Sequence, residues 1–180
     1  MSTKKTPFLP KLVITDIDGV WTDGGMYYDK KGNELKKFNT SDSAGVLFLK
    51  LLEIPVAIMT GENTEIVKRR ADKLGIDHLY LGVKDKVSSA KSLCSVLDIS
   101  LKDVAFIGDD INDILLLDSV GLSACPSSAP AYIKSRVDFV TDKIGGDGAF
   151  REFIETLLTN NNMMDVALNK YLYNLETFNQ

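Results

Sequence analysis

Short apolar runs alternate with segments of helical periodicity along most of the chain, and this alternation restricts the fold more than any other feature. The apolar runs predict buried strands at Leu12–Ile17, Pro55–Met59, His78–Leu81, Val104–Ile107 and Gly121–Ala124. The segments between them predict helices at Ser43–Leu52, Thr64–Leu74, Lys84–Leu97 and Asn112–Val120. This order predicts an α/β fold with a doubly wound parallel sheet, in which ligands bind beyond the carboxyl ends of the strands.

One insertion interrupts the alternation after the first strand. Residues 26–40, MYYDKKGNELKKFNT, contain two short runs around the turn signal DKKGN and predict a β-hairpin. With 180 residues, the chain suits one domain with a substantial core. We therefore assign residues 1–158 to this core and expect residues 159–180 to form a C-terminal tail helix.

Composition excludes several classes of function. A net charge of -4 argues against nucleic acid as a partner. The N-terminal segment has no apolar stretch of signal-peptide type, and no run is long enough to cross a membrane, so we expect a cytoplasmic protein. His78 is the only histidine, which disfavours a histidine-rich metal site and a Ser-His-Asp triad. Cys94 and Cys125 are expected to be small core residues rather than a disulfide.

Polar residues follow the predicted strands in a fixed order. Asp16 and Asp18 end the first strand, and Thr60-Gly61-Glu62 ends the second. Lys86 lies at a helix start, and the sequence GDDIND (residues 108–113) follows the fourth strand. A parallel sheet brings these ends to one rim, so we expect one site. Carboxylates from two loops suit Mg²⁺, whereas a hydroxyl and a lysine suit a phosphoryl group.

Each of these features also has an ordinary structural explanation. A lone D-x-D is common at strand ends, and acids are favoured at a helix N-terminus by the helix dipole. The ordered set, each member at a predicted element end, is more specific than any of its parts. It fits transfer of a phosphoryl group to an aspartate.

The four motifs DIDG, MTG, DK and GDDIND resemble, in order, those of the haloacid dehalogenase-like (HAD) phosphatases. The resemblance implies that Asp16 is the nucleophile and that Asp18 is the general acid and then the base. It also implies that Thr60 and Lys86 bind the phosphoryl group, and that Asp113 supports the site from behind. Mg²⁺ would be held by Asp16, Asp109 and the main-chain carbonyl of Asp18.

Finer matches are TDIDGVWTDGG, KKFNTSDSAG and GGDGAFRE, which resemble the uncapped phosphatases of 2-keto-3-deoxy sugar acid phosphates. These have a hairpin and no cap domain. The resemblance implies a homotetramer in which hairpins associate centrally and a C-terminal segment reaches the adjacent site. Arg151 would then lie near a neighbour's substrate carboxylate, although a surface ion pair is a serious alternative for an arginine at this helix N-terminus.

The residue after Thr-Gly separates two branches of that group. The octulosonate branch has TGR, whereas the nonulosonate branch has TGE followed by TEIV, as this chain does with Glu62. The resemblance therefore implies a 2-keto-3-deoxy-nonulosonate (KDN) or N-acetylneuraminate 9-phosphate as substrate, with 3-deoxy-manno-octulosonate (KDO) 8-phosphate as the alternative. The residues expected to bind substrate are Gly61, Glu62, Arg70, Lys73, Asn112 and Arg151. A solvated helix face of mixed charge would equally explain Arg70 and Lys73.

Two rival classes fit less well. A response-regulator receiver domain has its phosphoacceptor on the third strand, whereas the D-x-D here follows the first. A non-catalytic phosphate-binding assembly module would not need all four motifs, which are intact in this chain.

Overall fold

A six-stranded parallel sheet forms the centre of the protein in a computed structural model, which describes residues 8–76 and 78–178. Its strands are β1 (Leu12–Thr15), β4 (Val56–Met59), β5 (His78–Tyr80), β6 (Val104–Ile107), β7 (Leu122–Cys125) and β8 (Phe139–Val140). They are arranged in the order β5-β4-β1-β6-β7-β8, and all neighbouring pairs are parallel. The strand that carries the D-x-D motif therefore lies in the interior of the sheet, beside β4 and β6.

Helices cover both faces of the sheet. They are α1 (Asp42–Leu51), α2 (Glu65–Leu74), α3 (Lys86–Val96), α4 (Ile114–Leu117), α5 (Ala131–Lys134), α6 (Ala149–Asn160) and α7 (Met164–Phe178). One apolar layer contains buried residues of α1, α2, α6 and α7, and the other contains those of α3, α4 and α5. Successive strand residues point to opposite faces, so Val13 joins the first layer whereas Leu12 and Ile14 join the second. Among the described helices, none is long and apolar enough to cross a membrane.

This arrangement confirms the predicted doubly wound α/β fold. The predicted helix at Asn112–Val120 is instead a 3₁₀ turn at Ile111–Asp113 followed by α4, because side chains of the acidic loop cap the turn. Sequence patterns also missed β8 and α5, since β8 has two residues and α5 only four, and they missed the twelve-residue α6. The N-terminal segment on which we based the absence of a signal peptide lies outside the described residues up to residue 7.

The predicted hairpin is present between β1 and α1. Its strands β2 (Tyr27–Tyr28) and β3 (Glu34–Leu35) are antiparallel, and an isolated bridge between Thr22 and Phe38 closes its base. The tail forms α7, which begins after a short break from α6; residues 179–180 of the predicted tail lie outside the described residues. The division at residue 158 remains a prediction, and α6 continues to Asn160.

Candidate active site

The carboxyl ends of the central strands form the floor of a cavity of about 350 Å³. We define the floor as Asp16, Thr60 and Asp109, which line this cavity, together with Lys86 and Asp113, which contact them from beneath. These residues follow β1, β4 and β6 or begin α3. Parallel pairing of β1 with both β4 and β6 places the three strand ends side by side. The sheet therefore brings together the residues that the motif order predicted would meet.

Lys86 is the single cation described at the floor and joins two of its acids. Its Nζ lies 2.6 Å from Asp113 Oδ1 and 3.0 Å from Asp16 Oδ2. The side chain is buried, which by itself lowers the pKa of Lys86, but Asp16 and Asp113 raise that pKa above its ordinary value. Lys86 is consequently held as a cation within reach of the nucleophile candidate.

When all are ionised, the acids of the floor carry more negative charge than Lys86 neutralises. Burial raises the pKa of Asp16 to about 7, and burial together with the charges of Asp16 and Asp113 raises the pKa of Asp109 to about 8. Carboxylate oxygens of Asp16, Asp109 and Asp113 all lie within 4.8 Å of one another. Such crowding is costly unless a further cation enters the cluster.

Two buried oxygens are available for that cation. Asp16 Oδ1 and Asp109 Oδ1 have no hydrogen-bond partner within the described part of the chain. Unpaired carboxylate oxygens at two converging loop ends are the hard ligands that Mg²⁺ prefers. The floor therefore fits Mg²⁺ held by Asp16 and Asp109.

Asp113 has another structural role. Its Oδ1 contacts Lys86, and its Oδ2 accepts hydrogen bonds from the main-chain N–H groups of Asp109 (2.9 Å) and Asp110 (3.2 Å). Both oxygens are thus occupied, and they fix the loop that carries Asp109. Gly108 permits this approach, because a Cβ there would lie 2.5 Å from Asp113 Cγ.

The loop after β1 depends on a close packing that the motif search did not reveal. Gly19 has φ of +81°, and a Cβ on it would overlap the Asp109 carboxylate. On the other side of this loop, a Cβ on Gly145 would overlap the Gly19 carbonyl, and Gly146 N–H donates to Val20 O (3.1 Å). The sequence analysis selects GGDG only for its resemblance to the phosphatases. The two adjacent glycines, Gly145 and Gly146, are the sequence signal that could have indicated this close packing.

Asp18 lies outside the carboxylate cluster of the floor and forms an ion pair with a different lysine. Lys36 Nζ lies 2.7 Å from both carboxylate oxygens of Asp18, and the Thr22 hydroxyl donates to Asp18 Oδ1 (3.2 Å). Lys36 follows β3 in the hairpin, and our sequence analysis did not select it. Nothing in the local pattern distinguishes it from the adjacent Lys37.

The substrate-binding candidates divide into two groups. Gly61, Glu62 and Asn112 line the cavity, together with Met26 of the hairpin side. Among the described residues, the cavity lining does not include the other three candidates, Arg70, Lys73 and Arg151.

These three residues lie elsewhere on the protein. The Arg70 guanidinium donates to Asn39 O (3.3 Å) and Ser43 Oγ (3.0 Å), and it lies 5.9 Å from the Trp21 ring centroid. Arg151 Nε forms an ion pair with Glu155 (2.7 Å), and Lys73 is exposed on α2. Within a single chain, the arginines therefore have structural partners.

Comparison with known proteins places this geometry in a family. Residues 79–153 match the model of the haloacid dehalogenase-like hydrolases. The chain is 38% identical over 148 residues to 3-deoxy-D-manno-octulosonate 8-phosphate phosphatase of Haemophilus influenzae, covering 82% of each chain. It is 39% identical over 157 residues to the phosphatase of the same name from Escherichia coli K12, covering 87% of this chain and 84% of the relative.

Solved structures agree. A crystal structure of 3-deoxy-D-manno-octulosonate 8-phosphate phosphatase from Moraxella catarrhalis, in complex with a magnesium ion, a phosphate ion and KDO, superposes with a TM-score of 0.86. The two chains share 34% identity over 90% of this chain and 93% of the other. The protein belongs to the haloacid dehalogenase-like hydrolases. Within that family it is a phosphatase.

Proposed function

We propose that the protein hydrolyses the phosphomonoester of a 2-keto-3-deoxy sugar acid, with Mg²⁺ as cofactor. The observation that carries the proposal is the floor of the cavity, where the nucleophile candidate Asp16 lies beside a buried lysine and a second acid with an unpaired oxygen. The names of the similar phosphatases support the substrate class. Mg²⁺ bound between Asp16 and Asp109 would supply positive charge that offsets the repulsion between a carboxylate and a phosphate.

The first half of the reaction transfers the phosphoryl group to the protein. A carboxylate oxygen of Asp16 forms a bond to phosphorus while the bond from phosphorus to the sugar oxygen breaks. Asp18 gives a proton to the departing oxygen, so the sugar acid leaves as a neutral alcohol at that carbon. Lys86 and the Thr60 hydroxyl bind the oxygens of the transferring group.

The second half regenerates the enzyme. Asp18, now ionised, takes a proton from a water molecule as its oxygen bonds to phosphorus. The bond between phosphorus and the Asp16 oxygen breaks, which releases inorganic phosphate and restores the carboxylate. Asp113 keeps Lys86 and the Asp109 loop in place throughout, since both of its oxygens are already occupied by those groups.

Two kinds of substrate within the class are candidates, one with an eight-carbon and one with a nine-carbon chain. The similar phosphatases favour 3-deoxy-manno-octulosonate 8-phosphate, because they are named for it and span most of this chain. One observation favours the nine-carbon KDN or N-acetylneuraminate 9-phosphate instead. Glu62 is exposed on the cavity lining, where a carboxylate could accept hydrogen bonds from hydroxyl or amino groups that an arginine could not accept.

Phosphate release from purified protein with Mg²⁺ tests the proposal. The panel contains the eight-carbon and both nine-carbon sugar acid phosphates, with glucose 6-phosphate as a control that lacks the carboxylate. We expect kcat/KM for at least one sugar acid phosphate to exceed that for glucose 6-phosphate by about 100-fold or more. Equal values across the panel, or no release from any member by folded protein, would contradict the proposal.

We also propose a homotetramer with shared sites. Met26, Tyr27, Tyr28 and Leu35 expose apolar surface on the hairpin, which is consistent with burial against other copies. In such an assembly Arg151, which lies outside its own cavity lining, would face a neighbour's site. Light scattering after size exclusion measures the mass, and a monomer at all concentrations would contradict this assembly. The cytoplasmic location stays a prediction.

A further inference from the structure

We propose that Lys36 is a positioning residue for Asp18, and that the hairpin thereby sets the geometry of leaving-group protonation. The inference rests on the proposed function, because it assumes the acid and base role of Asp18. Lys36 itself is expected to touch neither substrate nor metal. Its effect would pass through the carboxylate that it holds.

Lys36 contacts both oxygens of the Asp18 carboxylate, and the lysine side chain is excluded from solvent. Lys36 Nζ lies 2.7 Å from Asp18 Oδ1 and 2.7 Å from Asp18 Oδ2, so it restricts rotation of the carboxylate as well as its position. The Lys36 side chain is 0% exposed, whereas the Asp18 side chain keeps 25% exposure toward the cavity. A lysine loses much rotamer freedom on complete burial, so this is not an ordinary surface ion pair.

Lys37 shows what an ordinary pair on the same segment looks like. Its Nζ lies 3.9 Å from Asp23 Oδ2, and its side chain is 66% exposed. The two lysines are adjacent in sequence and carry the same charge. Only Lys36 turns inward, which makes Lys37 a matched control.

The hairpin base supplies the remaining contacts of Asp18. The Thr22 hydroxyl donates to Asp18 Oδ1 and accepts hydrogen bonds from the N–H groups of Gly19 (3.4 Å) and Gly24 (3.2 Å). The bridge between Thr22 and Phe38 fixes the returning strand two residues after Lys36. Lys36 and Thr22 therefore approach the carboxylate from the two bridged sides of the hairpin base, although Lys36 is 18 residues away in sequence.

This arrangement assigns a separate cation to each carboxylate of the D-x-D motif. Asp16 contacts Lys86 at the floor, and Asp18 contacts Lys36 on the hairpin side. Among the described acids, the close cluster of carboxylates contains Asp16, Asp109 and Asp113 but not Asp18. Asp18 thus stays outside the carboxylate cluster that fits the metal, while it still lines the cavity.

The experiment compares two leaving groups in Lys36→Met, with Lys37→Met as control. The leaving oxygen of an alkyl phosphate has to be protonated as the bond to phosphorus breaks. The leaving group of p-nitrophenyl phosphate is a stable anion and needs no proton. We expect kcat/KM for the alkyl phosphate to fall about 100-fold, at the low end of the range typical of general acid catalysis, and that for p-nitrophenyl phosphate to fall less than about threefold. Lys37→Met should leave both values within about twofold of wild type.

A double-mutant cycle adds a second readout. In an Asp18→Asn background, Lys36→Met should no longer change kcat/KM for the alkyl phosphate, because there is no acid left to position. Circular dichroism and thermal unfolding monitor the fold. If the methionine variant does not fold, Lys36→Gln, which keeps a polar end group, gives the same comparison.

Three results would overturn the inference: equal losses on both substrates, no loss on either, or an undiminished loss in the Asp18→Asn background. Equal losses would mean that Lys36 acts on phosphate binding or on the fold. Any alkyl phosphate that the wild-type protein hydrolyses serves for this test. A wrong assignment of the sugar acid is therefore detected by the substrate panel and leaves the result for Lys36 intact.

Discussion

The floor and the rim of the cavity are built in different ways. We define the rim as Gly61, Glu62, Asn112 and the hairpin residue Met26, all of which line the cavity and are exposed. The floor residues Asp16, Thr60 and Lys86 are no more than 4% exposed. At the floor, the pKa of each shifted side chain depends on its burial and its charged neighbours, whereas rim side chains extend into solvent.

This contrast separates chemistry from selectivity. Charge–charge interactions are strong where water is excluded, so small changes at the floor have large effects. Rim residues can be exchanged without disturbing the fold, and they contact the variable part of a substrate. We therefore expect floor substitutions to lower turnover of every substrate, and rim substitutions to change the ratio between substrates.

The largest effect is expected for Asp16→Asn. An amide is a poor nucleophile, so kcat should fall about 10⁴-fold or more for every substrate of the panel. Phosphate release under single-turnover conditions measures this loss. Asp165→Asn, a change of the same kind on the exposed face of α7, should have wild-type activity. Retention of more than a tenth of the activity in folded Asp16→Asn would exclude Asp16 as nucleophile.

Lys86→Gln tests whether the floor acts as one charge network. We expect kcat/KM to fall about 100-fold and the free energy of unfolding to fall by about 3 kcal/mol, because two buried acids lose their shared cation. Urea unfolding and steady-state kinetics provide the two numbers. Lys91→Gln, on the exposed surface of the same helix, is the control. A variant with unchanged stability would show that Lys86 is dispensable to the network.

Glu62→Arg tests whether the rim determines selectivity between substrates. The ratio of kcat/KM for nine-carbon over eight-carbon phosphates should fall about 10-fold, since an acceptor is replaced by a donor. Turnover of p-nitrophenyl phosphate should change less than about twofold, because the floor is untouched. Glu65→Arg makes the same charge change at the start of α2, outside the cavity lining described for the chain. An unchanged ratio would remove Glu62 as a selectivity determinant.

The smallest effect concerns metal and pH. The folded-state pKa values of Asp16 (about 7) and Asp109 (about 8) lie above the ordinary aspartate value. Without metal, the folded state therefore binds more protons than the unfolded state between about pH 4 and pH 8, and stability falls as pH rises through this range. Mg²⁺ requires the ionised carboxylates, so its stabilising effect should be larger at pH 8 than at pH 6.

Thermal unfolding with and without Mg²⁺ measures this effect. At ten times the dissociation constant, Mg²⁺ should add about 1.4 kcal/mol, or about 3 to 5 °C in Tm at pH 8. The same measurement on Asp109→Asn should show little shift, since one ligand is missing. An equal shift at both pH values in the wild-type protein would mean that these carboxylates are already ionised without metal.

The floor was largely predictable from the sequence, because its residues follow strands whose parallel order fixes where the strand ends meet. Asp16, Thr60, Lys86 and Asp109 needed only the alternation of strands and helices and the chain order of the motifs. The distances between these side chains did not follow from the sequence pattern. They depend on the register of β1 against β4 and β6, which local sequence does not specify.

Contacts from irregular segments were beyond the sequence patterns. The inward turn of Lys36 does not follow from the local sequence, because Lys37 has the same sequence signal and is exposed. Arg70 was selected by charge and helical spacing, but periodicity does not reveal that Trp21 and Phe38 present their rings to it. Likewise, α6 and the short α5 follow a glycine and a proline in a region without alternation.

The contact of Gly145 with the loop after β1 has a consequence for how the enzyme matures during synthesis. All four motifs have been translated once the ribosome has passed Asp113, yet the surface against which Gly19 rests is encoded some thirty positions later. A nascent chain that lacks this surface can pair its central strands without fixing the loop after β1, which carries Asp18 and Gly19. Hydrolytic competence should therefore arise late in translation, when the glycine pair has left the exit tunnel.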